Sequence, residues 1–345
     1  MSPYYQRSNT DWLRDARWGV FMHYLSDLPG IAGPDGISTA DQWNHQIDHF
    51  DVQGLAGQLE TVGAGYFFIT IGQNSGFYLS PNQTYNDLVG RKPSRLSQRD
   101  LVADLADALA PCGIRLMVYL PSHAPAKDRQ VVEGLVCTPE WDASCWGIRP
   151  GPYLRTRETD ERLSEFQRNW EAILREWSLR WGKKVHGWWI DGCYQAERMY
   201  RSKDHPNFES FVLALKAGNP ESLVAFNPGV MLPVICHTEY EDYTAGELDR
   251  AFPALMDQPW HRQLNDRFVD GSQYHVLSYL GHWWGGAPLR FSDPFVVGFT
   301  QDINACQGVV TWDVPPLPDG RIFPPALEQL KALRRATRPV ASAAS

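Results

Sequence analysis

The sequence has few cysteines for its 345 residues, and they form no recognisable site. None of the six stands in a Cys-x-x-Cys pair or in a cysteine and histidine array with zinc spacing, which argues against a structural zinc ion. Cys112 and Cys306 fall in apolar helical patterns and are predicted to be core thiols. Cys137 and Cys145 lie near each other in one predicted loop, where a disulfide could form but is not required.

Long apolar runs and basic runs are absent as well. No stretch reaches the length of a membrane span, and the N-terminus has no apolar signal-peptide core. We therefore expect a cytoplasmic protein without a membrane partner. The formal net charge is −8 and lysine and arginine form no cluster, so nucleic acid is not expected as a partner either.

Several signatures of catalytic classes are missing. The chain contains no glycine-rich phosphate loop, no His-Glu-x-x-His motif and no Gly-x-Ser-x-Gly turn, which argues against nucleotide-binding, zinc-protease and serine-hydrolase chemistry. Metal-dependent barrel enzymes need acidic or histidine ligands at several strand ends, and the acids here are too few. The sequence thus predicts no metal and no other cofactor.

Tryptophan, by contrast, is abundant, with 14 residues in the chain. Aromatic faces stack on the C–H faces of sugar rings, and the indole N–H can reach a hydroxyl. A single tryptophan is best explained as a core residue, but the pairs at 188–189 and 283–284 are predicted to face a ligand. The sequence therefore favours a carbohydrate as the partner, and it leaves the oligomeric state open.

Eight apolar, β-favouring segments alternate with amphipathic helical segments along the chain. The strand candidates are 18–24, 66–71, 115–120, 185–191, 222–228, 240–247, 273–280 and 308–314. The sixth is recognised by its position more than by its pattern. Continuous apolar runs favour a parallel sheet, and eight strand–helix repeats predict one (β/α)8 barrel domain over residues 1–345, with its core at about 11–338.

Polar residues collect where these predicted strands end, which is the end at which barrel enzymes carry their active sites. The residues are His23, Gln73, Asn74, His123, Asp191, Asn227, Glu247, His282 and Asp313. Asp191 follows the tryptophan pair and precedes the turn that Gly192 begins. Such an aspartate can also cap the next helix or bind turn amides. Its aromatic neighbours favour a catalytic carboxylate.

Two carboxylates at one barrel mouth suit the hydrolysis of a glycosidic bond. One attacks the anomeric carbon, and the other protonates the leaving oxygen and later deprotonates water. Asp191 is the candidate for the first role. The candidates for the second role lie in one short stretch and are Glu239, Glu241, Asp242 and Glu247.

Several short blocks, in order, resemble the α-L-fucosidase family of glycoside hydrolases. They are Asp15–His23, Gly63–Tyr66, Gly76–Phe77, Arg99–Val102, Trp189–Gly192, Asp242–Glu247, Trp283–Gly285 and Gly308–Gly320. The resemblance implies a retaining exo-glycosidase that acts on α-L-fucosides or on glycosides of a closely related L-sugar. It places the nucleophile on Asp191 and the acid/base on Glu247, with Glu239 as the alternative.

The same resemblance and the strand ends together suggest which residues contact the sugar. They are His23, Gln73, Asn74, Tyr78, His123, Trp189, Asn227, Trp283 and Trp284. Conservative replacement of a sugar-contacting residue should change KM or kcat, whereas a large loss of melting temperature would indicate a structural role. A core or supporting role is the alternative for both histidines.

Two features depart from the family's pattern. The family usually carries His-His-Asp-Gly-Phe after the second strand, with both histidines touching fucose hydroxyls, and this chain has Gln-Asn-Ser-Gly-Phe at 73–77. Amides and imidazoles offer different donors and acceptors, so a different sugar or linkage is an alternative substrate. The family's C-terminal β-sandwich is not expected in this chain. A carbohydrate-binding barrel without turnover is the remaining alternative.

Overall fold

A curled parallel β-sheet is the framework of the computed structural model, which describes residues 6–33, 36–137, 159–249 and 266–337. In chain order the strands are β1 (Trp18–Met22), β2 (Tyr66–Thr70), β3 (Arg115–Pro121), β4 (Val185–Asp191), β5 (Leu223–Phe226), β6 (Phe268–Val269), β7 (Ser272–Gln273), β8 (His275–Tyr279), β9 (Gly281–Trp283), β10 (Gly286–Leu289) and β11 (Val309–Asp313). Seven of them form one sheet in the order β5-β4-β3-β2-β1-β11-β8, with every neighbouring pair parallel. The remaining four form two short antiparallel pairs.

Helices alternate with the strands, as the sequence pattern predicts. The α-helices are Asp11–Ala16, Pro29–Ala32, Ala40–Asp48, Val52–Val62, Gln83–Val89, Leu101–Leu109, Arg129–Gly134, Ser164–Trp181, Ala196–Met199, Phe208–Leu215, Asp293–Ala305 and Pro324–Thr337. Two 3₁₀ helices occupy Ala110–Cys112 and Gly182–Lys184. The long helix predicted from residue 158 begins at 164 in the structure, and 158 itself lies outside the described residues.

Local capping explains why helix ends are readable from the sequence. The helix Val52–Val62 begins after Asp51, whose side chain accepts a hydrogen bond from the Gly54 N–H, and ends at Gly63 with a φ of 69°. The helix Leu101–Leu109 begins in the same way, because the Asp100 side chain accepts from the Ala103 N–H. Short-range chemistry of this kind needs no tertiary contact.

The sheet buries side chains on both faces, and alternation along each strand sorts them into two hydrophobic clusters. On β2, Phe67 and Ile69 belong to the cluster that the sheet shares with its helices. Tyr66 and Phe68 belong to a second cluster, whose members come from strands all around the sheet and which therefore lies inside the curl. Burial on both faces explains the continuous apolar runs of the sequence.

The predicted sixth strand, at 240–247, is not a regular strand. The segment lies next to β8, one of the two edge strands of the sheet. On that side it makes two isolated parallel bridges, one between Tyr243 and Gln273 and one between Glu247 and Leu277. On its other side, the Asp242 N–H donates to the Val224 carbonyl of β5 at 2.9 Å. The segment thus lies between the two edge strands of the sheet.

Two features prevent the segment from forming a regular ladder. The side chains of Glu241 and Asp242 accept hydrogen bonds from the backbone N–H groups of Phe226 and Val224. These two N–H groups of β5 therefore bind carboxylates instead of backbone carbonyls of the neighbouring segment. Gly246 then breaks the extended path with a φ of 59°. The prediction of a strand here was wrong because side-chain acceptors replaced backbone ones.

The remaining fold predictions have mixed outcomes. Cys112 and Cys306 are only partly buried rather than core thiols, and Cys145 lies outside the described residues. Within the described ranges, no helix is long and apolar enough to cross a membrane. In that same part of the chain, no three histidine, cysteine, aspartate or glutamate side chains come together in a way that could hold a metal ion.

Candidate active site

A cavity of about 410 Å³ opens at the C-terminal edge of the parallel strands. Of the side chains predicted to form a site, seven line it, namely His23, Gln73, Trp189, Asp191, Glu247, Trp283 and Trp284. They come from segments far apart in sequence, and the sheet brings them together because all its strands end at one edge. The cavity volume falls within the range of small-molecule sites.

Asp191 is the last residue of β4, and four groups direct hydrogen bonds to its carboxylate. Its Oδ2 accepts from the Tyr119 hydroxyl at 2.5 Å. Its Oδ1 accepts from the Gly192 N–H at 2.8 Å and from the Asn227 amide at 2.8 Å, with the Tyr194 hydroxyl at 3.4 Å. This set of donors suits an ionised carboxylate held in one orientation. Binding of a turn amide was the predicted alternative role of Asp191, and the hydrogen bond from the Gly192 N–H is such a contact.

Tyr119 was not among the predicted site residues. It lies on β3 with its ring stacked on Trp189 at 5.4 Å between centroids, and its hydroxyl accepts from the Gln73 amide at 2.7 Å. Burial, and next the charge of Asp191, raise the pKa of Tyr119 well above its usual value, so the hydroxyl keeps the proton it donates to Asp191. The sequence did contain a signal for Tyr119. Side chains alternate along β3, and Tyr119 points to the same side as Met117, into the cluster inside the curl.

Glu247 meets Asp191 through a shared neighbour. The side-chain nitrogen of Asn227 donates to Asp191 Oδ1 at 2.8 Å and to Glu247 Oε2 at 2.7 Å. The two carboxylate oxygens therefore lie within 5.5 Å of each other, the sum of these two distances. Asn227 itself is buried behind the pair and does not line the cavity.

The backbone before Glu247 explains how this side chain reaches the cavity. Gly246 has a φ of 59°, and a Cβ at this position would collide with the carbonyl oxygen of His275. Only glycine allows so close a crossing over β8. The bridge from Glu247 to Leu277 then holds the glutamate at the strand ends.

The two carboxyl groups differ in their electrostatic surroundings. Burial, and next the charge of Asp191, raise the pKa of Glu247 to about 8. Several donors bind the Asp191 carboxylate, whereas within the described residues the Glu247 side chain accepts a hydrogen bond from the shared Asn227 amide alone. Close to neutral pH, the arrangement therefore favours one charged carboxylate beside one protonated carboxyl group.

The other three acids of this stretch point elsewhere. Glu239 is exposed and does not line the cavity. Glu241 is fully buried and accepts from the N–H groups of Phe226 and His237, and burial raises its pKa to about 8. Asp242 is buried in an ion pair with Lys216 at 2.7 Å. Of the four candidates for the second carboxylate, only Glu247 lies at the pocket.

His23 is oriented by Asp313, the last residue of β11, at the same edge of the sheet. The Asp313 carboxylate is fully buried and accepts from His23 Nδ1 at 2.9 Å, from the His23 N–H at 3.2 Å and from the Gly285 N–H at 2.6 Å. The imidazole therefore carries its proton on Nδ1 and turns Nε2 away from Asp313. The same carboxylate anchors the loop that carries Trp283 and Trp284.

Aromatic side chains surround the carboxylates at the cavity. Trp284 packs against the His23 ring at 5.5 Å and against Tyr279 at 4.7 Å. Trp283 is 44% exposed and Tyr194 is 37% exposed, and both line the cavity. Large aromatic surfaces left open beside a pocket are typical of ligand contacts rather than of core packing.

The structure does not bring all of the predicted sugar-contacting residues to the cavity. Tyr78 lies in the main hydrophobic core against Tyr85 and Trp177. Asn74 is buried beside the cavity without lining it. The loop after β2 turns back at Gly76, so that only its first amide, Gln73, faces the pocket.

His123 also lies behind the cavity wall. It is buried next to Gly192, and its Nδ1 contacts the Ala124 carbonyl at 2.9 Å. Burial lowers the pKa of His123 to about 4, so the ring is neutral. These contacts agree with the supporting role that the sequence left as an alternative for this residue.

Two further acids line the cavity and were not predicted. Asp27 is paired with Lys127 at 2.8 Å, and Asp249 follows Glu247 by two residues. No lysine or arginine of the described chain is among the residues lining the cavity. The electrostatic balance of the described lining is therefore acidic, which suits a neutral ligand better than an anionic one.

The contacts of Asp313 yield a prediction. Asp313→Asn replaces one accepting oxygen by a donor, so we expect His23 to lose its fixed tautomer and kcat/KM to fall by about 10- to 100-fold. The measurement is a double-mutant cycle with His23→Gln. Because Asp313 acts in part through His23, its replacement should cost less in the His23→Gln background than in the wild type. Fully additive losses in that cycle would contradict this role.

Comparison with known proteins finds likeness at the level of structure only. No family model matches the chain, and no curated protein matches its sequence. The endo-fucoidan hydrolase MfFcnA4 of glycoside hydrolase family 107 aligns with a TM-score of 0.71 at 18% identity, over 94% of this chain and 53% of that one. This chain therefore spans about half the length of MfFcnA4.

Two other structures align over nearly their full length. Another endo-fucoidan hydrolase of family 107 gives a TM-score of 0.66 at 14% identity, covering 95% of this chain and 93% of that one. The α-L-fucosidase AlfC from Lactobacillus casei, in complex with α-L-fucose product, gives a TM-score of 0.58 at 15% identity, covering 95% and 98%. At these identities the likeness establishes a shared fold.

Proposed function

We propose that this protein is a retaining glycoside hydrolase that releases α-L-fucose, or a closely related L-sugar, from the end of a glycan. The observation that carries the proposal is the single Asn227 amide that binds both Asp191 and Glu247. The two hydrogen-bond lengths set an upper limit of 5.5 Å on the distance between Asp191 Oδ1 and Glu247 Oε2. Retaining enzymes need a separation of about 5 to 5.5 Å, whereas inverting enzymes need about 6.5 to 9.5 Å to admit a water.

The two carboxyl groups would act in sequence. Asp191 attacks the anomeric carbon while Glu247 transfers its proton to the glycosidic oxygen, so that a glycosyl ester forms and the leaving alcohol departs. Glu247 is then ionised and removes a proton from water. As it does so, the water oxygen attacks the anomeric carbon and the bond to Asp191 breaks, so that the sugar leaves with net retention of configuration, Asp191 is again a carboxylate and Glu247 is again protonated.

The sugar proposal is supported by three lines. The sequence blocks resemble α-L-fucosidases, the shared fold occurs in proteins named for fucoidan or α-L-fucose, and the acidic cavity suits a neutral sugar. Gln73 would offer an amide to a ring hydroxyl, next to the faces of Trp283 and Trp284. No cofactor enters this mechanism.

The proposal extends to the architecture. The segment at 242–248 bonds to both edge strands of the sheet, so we propose that it completes a closed (β/α)8 barrel in place of a regular strand. Residues 1–345 would then be one catalytic domain built on this barrel, with the cavity at its mouth.

A pH dependence follows from the raised pKa of Glu247. Because the acid must be protonated, kcat/KM for a sugar leaving group should fall as the pH rises above about 8, by about tenfold per pH unit. The measurement is the pH profile of the wild type and of Glu247→Gln. With the sugar leaving group, the residual activity of the variant should lack this alkaline limb, because glutamine has no proton to lose in this range. An alkaline limb unchanged in Glu247→Gln would assign the titration to another group.

The experiment for the proposed function is turnover of 4-nitrophenyl α-L-fucoside beside the α-L-rhamnoside and the β-D-galactoside. Release of α-L-fucose as the first product, followed by proton NMR, would support both the sugar and retention. Release of the β anomer would contradict the retaining mechanism. L-fucose binding measured by calorimetry, without turnover of any glycoside, would identify a carbohydrate-binding barrel instead.

Endo action is a second candidate, because the structures with the higher TM-scores here are endo-fucoidan hydrolases. Fucoidan treated with the protein distinguishes the two modes. Free monosaccharide appearing without a fall in polymer size indicates exo action. A rapid fall in polymer size before any monosaccharide appears indicates endo action.

A further inference from the structure

A second cavity, which we call the basal cleft, lies at the opposite edge of the sheet from the candidate active site. It has a volume of about 780 Å³, and the residues that matter here are Trp12, Arg115, Lys183, His186 and Glu221. Arg115 is the first residue of β3, and His186 is the second residue of β4. The cleft thus opens where the parallel strands begin, and it shares no lining residue with the catalytic cavity.

Arg115 is a partly buried cation without a carboxylate partner among the described residues. Its guanidinium lies over the Trp12 ring, 4.5 Å from the centroid. Burial lowers its pKa from the usual value. The aromatic face offsets part of the cost of removing the charge from water, but it satisfies none of the five N–H donors.

His186 and Lys183 line the same cleft, and neither forms an ion pair with a described residue. The His186 ring is edge-on to Trp12 at 6.4 Å, and its Nδ1 atom is buried with no hydrogen-bond partner in the described chain. Burial, and next the charge of Arg115, lower the pKa of His186. Lys183 is exposed at the rim, and no ion pair joins it to a described residue.

The acids near the cleft do not supply the missing charge. Asp11 is engaged by Arg267 at 2.7 Å and by Arg14 at 3.1 Å. Glu221 lies in the lining but forms no ion pair with Arg115 or Lys183 in the described chain. In a chain with a net charge of −8, this cleft therefore keeps a local excess of positive charge.

We propose that the basal cleft binds a small molecule through a phosphate or sulfate group, held by Arg115 and Lys183 beside Trp12. A planar guanidinium can donate two parallel hydrogen bonds to such an oxyanion, and a lysine adds a mobile charge at the rim. The volume exceeds that of one oxyanion, so the cleft accommodates a sugar ring that carries the group as an ester. This site is separate from the proposed glycosidase site and does not depend on it.

The probe is inorganic phosphate or sulfate, titrated at constant ionic strength against chloride. For the wild type, an anion concentration tenfold above Kd should raise the melting temperature by about 2 °C. Arg115→Gln should remove this increase. The matched pair is Lys183→Gln and Lys184→Gln, since Lys184 is the next residue, carries the same charge, lies outside the cleft and pairs with Asp107 at 2.6 Å.

The lysine pair keeps the test decisive even if Arg115→Gln fails to fold. Calorimetry should show a several-fold weaker Kd for Lys183→Gln and an unchanged Kd for Lys184→Gln. Equal weakening in both would mean general attraction to surface charge and would overturn the site. So would an equal anion-induced shift in the wild type and in folded Arg115→Gln.

Two further arms identify the source of the group. A hexose 6-phosphate and a hexose 6-sulfate are compared with the inorganic ions, and tighter binding of an ester supports a sugar-borne group at Trp12. Turnover of the aryl fucoside by Lys183→Gln should equal that of the wild type. Failure of the basal cleft would thus leave the glycosidase proposal intact, and failure of turnover would leave the binding data intact.

Discussion

Asp191→Ala is expected to lower kcat/KM by about 10⁴-fold or more, because the proposed double displacement cannot proceed without its nucleophile. The wild-type carboxylate accepts hydrogen bonds from Tyr119, Gly192 and Asn227, and these three residues are unchanged in the variant. Removing the carboxylate leaves only a small cavity at the strand ends, so the fold should persist. Circular dichroism and the melting temperature check this.

Azide supplies the missing nucleophile in the same experiment. With an activated aryl fucoside, Asp191→Ala should recover turnover and form a fucosyl azide of inverted anomeric configuration. Asp27→Asn is the matched control, since it also removes a carboxylate charge from the cavity lining but lies outside the reactive pair. It should lose less than about tenfold. More than a few per cent residual activity in purified Asp191→Ala would remove it from the nucleophile role.

Glu247→Gln is expected to separate two kinds of substrate. A dinitrophenyl fucoside has a leaving group that needs no proton, so its glycosylation step should survive the change. A disaccharide with a sugar leaving group needs the proton, and its kcat/KM should fall by about 10³-fold, within the range of general acid catalysis. Glutamine keeps the shape and can still approach Asn227, so the loss reports on the proton.

Glu239→Gln is the control for this assignment. Glu239 is exposed, lies eight positions earlier in the same stretch and does not line the cavity. Its replacement should leave both substrates unaffected. If Glu239→Gln instead shows the split between substrates and Glu247→Gln does not, the acid/base role passes to Glu239.

The strands of the parallel sheet were predictable because their signal is local. Seven of the eight predicted segments coincide with strands of the sheet, since burial on both faces requires a continuous apolar run. The stretch at 240–247 was the exception. Its acids bind backbone donors of β5, and no propensity scale records a side chain that replaces a ladder bond.

The sequence identified seven of the sixteen residues that line the cavity but could not rank the acids. Glu239, Glu241, Asp242 and Glu247 are equivalent in a sequence pattern. Their different environments arise from contacts with distant segments, such as Lys216 for Asp242. Which of the four faces the cavity was therefore decided by tertiary packing, and the resemblance to α-L-fucosidases had pointed to the same residue.

The sequence by itself determined the alternation of strands and helices, the edge at which polar residues gather, and Asp191 as the centre of the candidate site. These follow from hydrophobic periodicity and from turn residues, which act over a few positions. Only the tertiary structure decided that Tyr119 holds Asp191, that Asn227 joins the two carboxyl groups, and that Tyr78 belongs to the core. Such pairings depend on the curl of the sheet, which brings together residues that no local pattern connects.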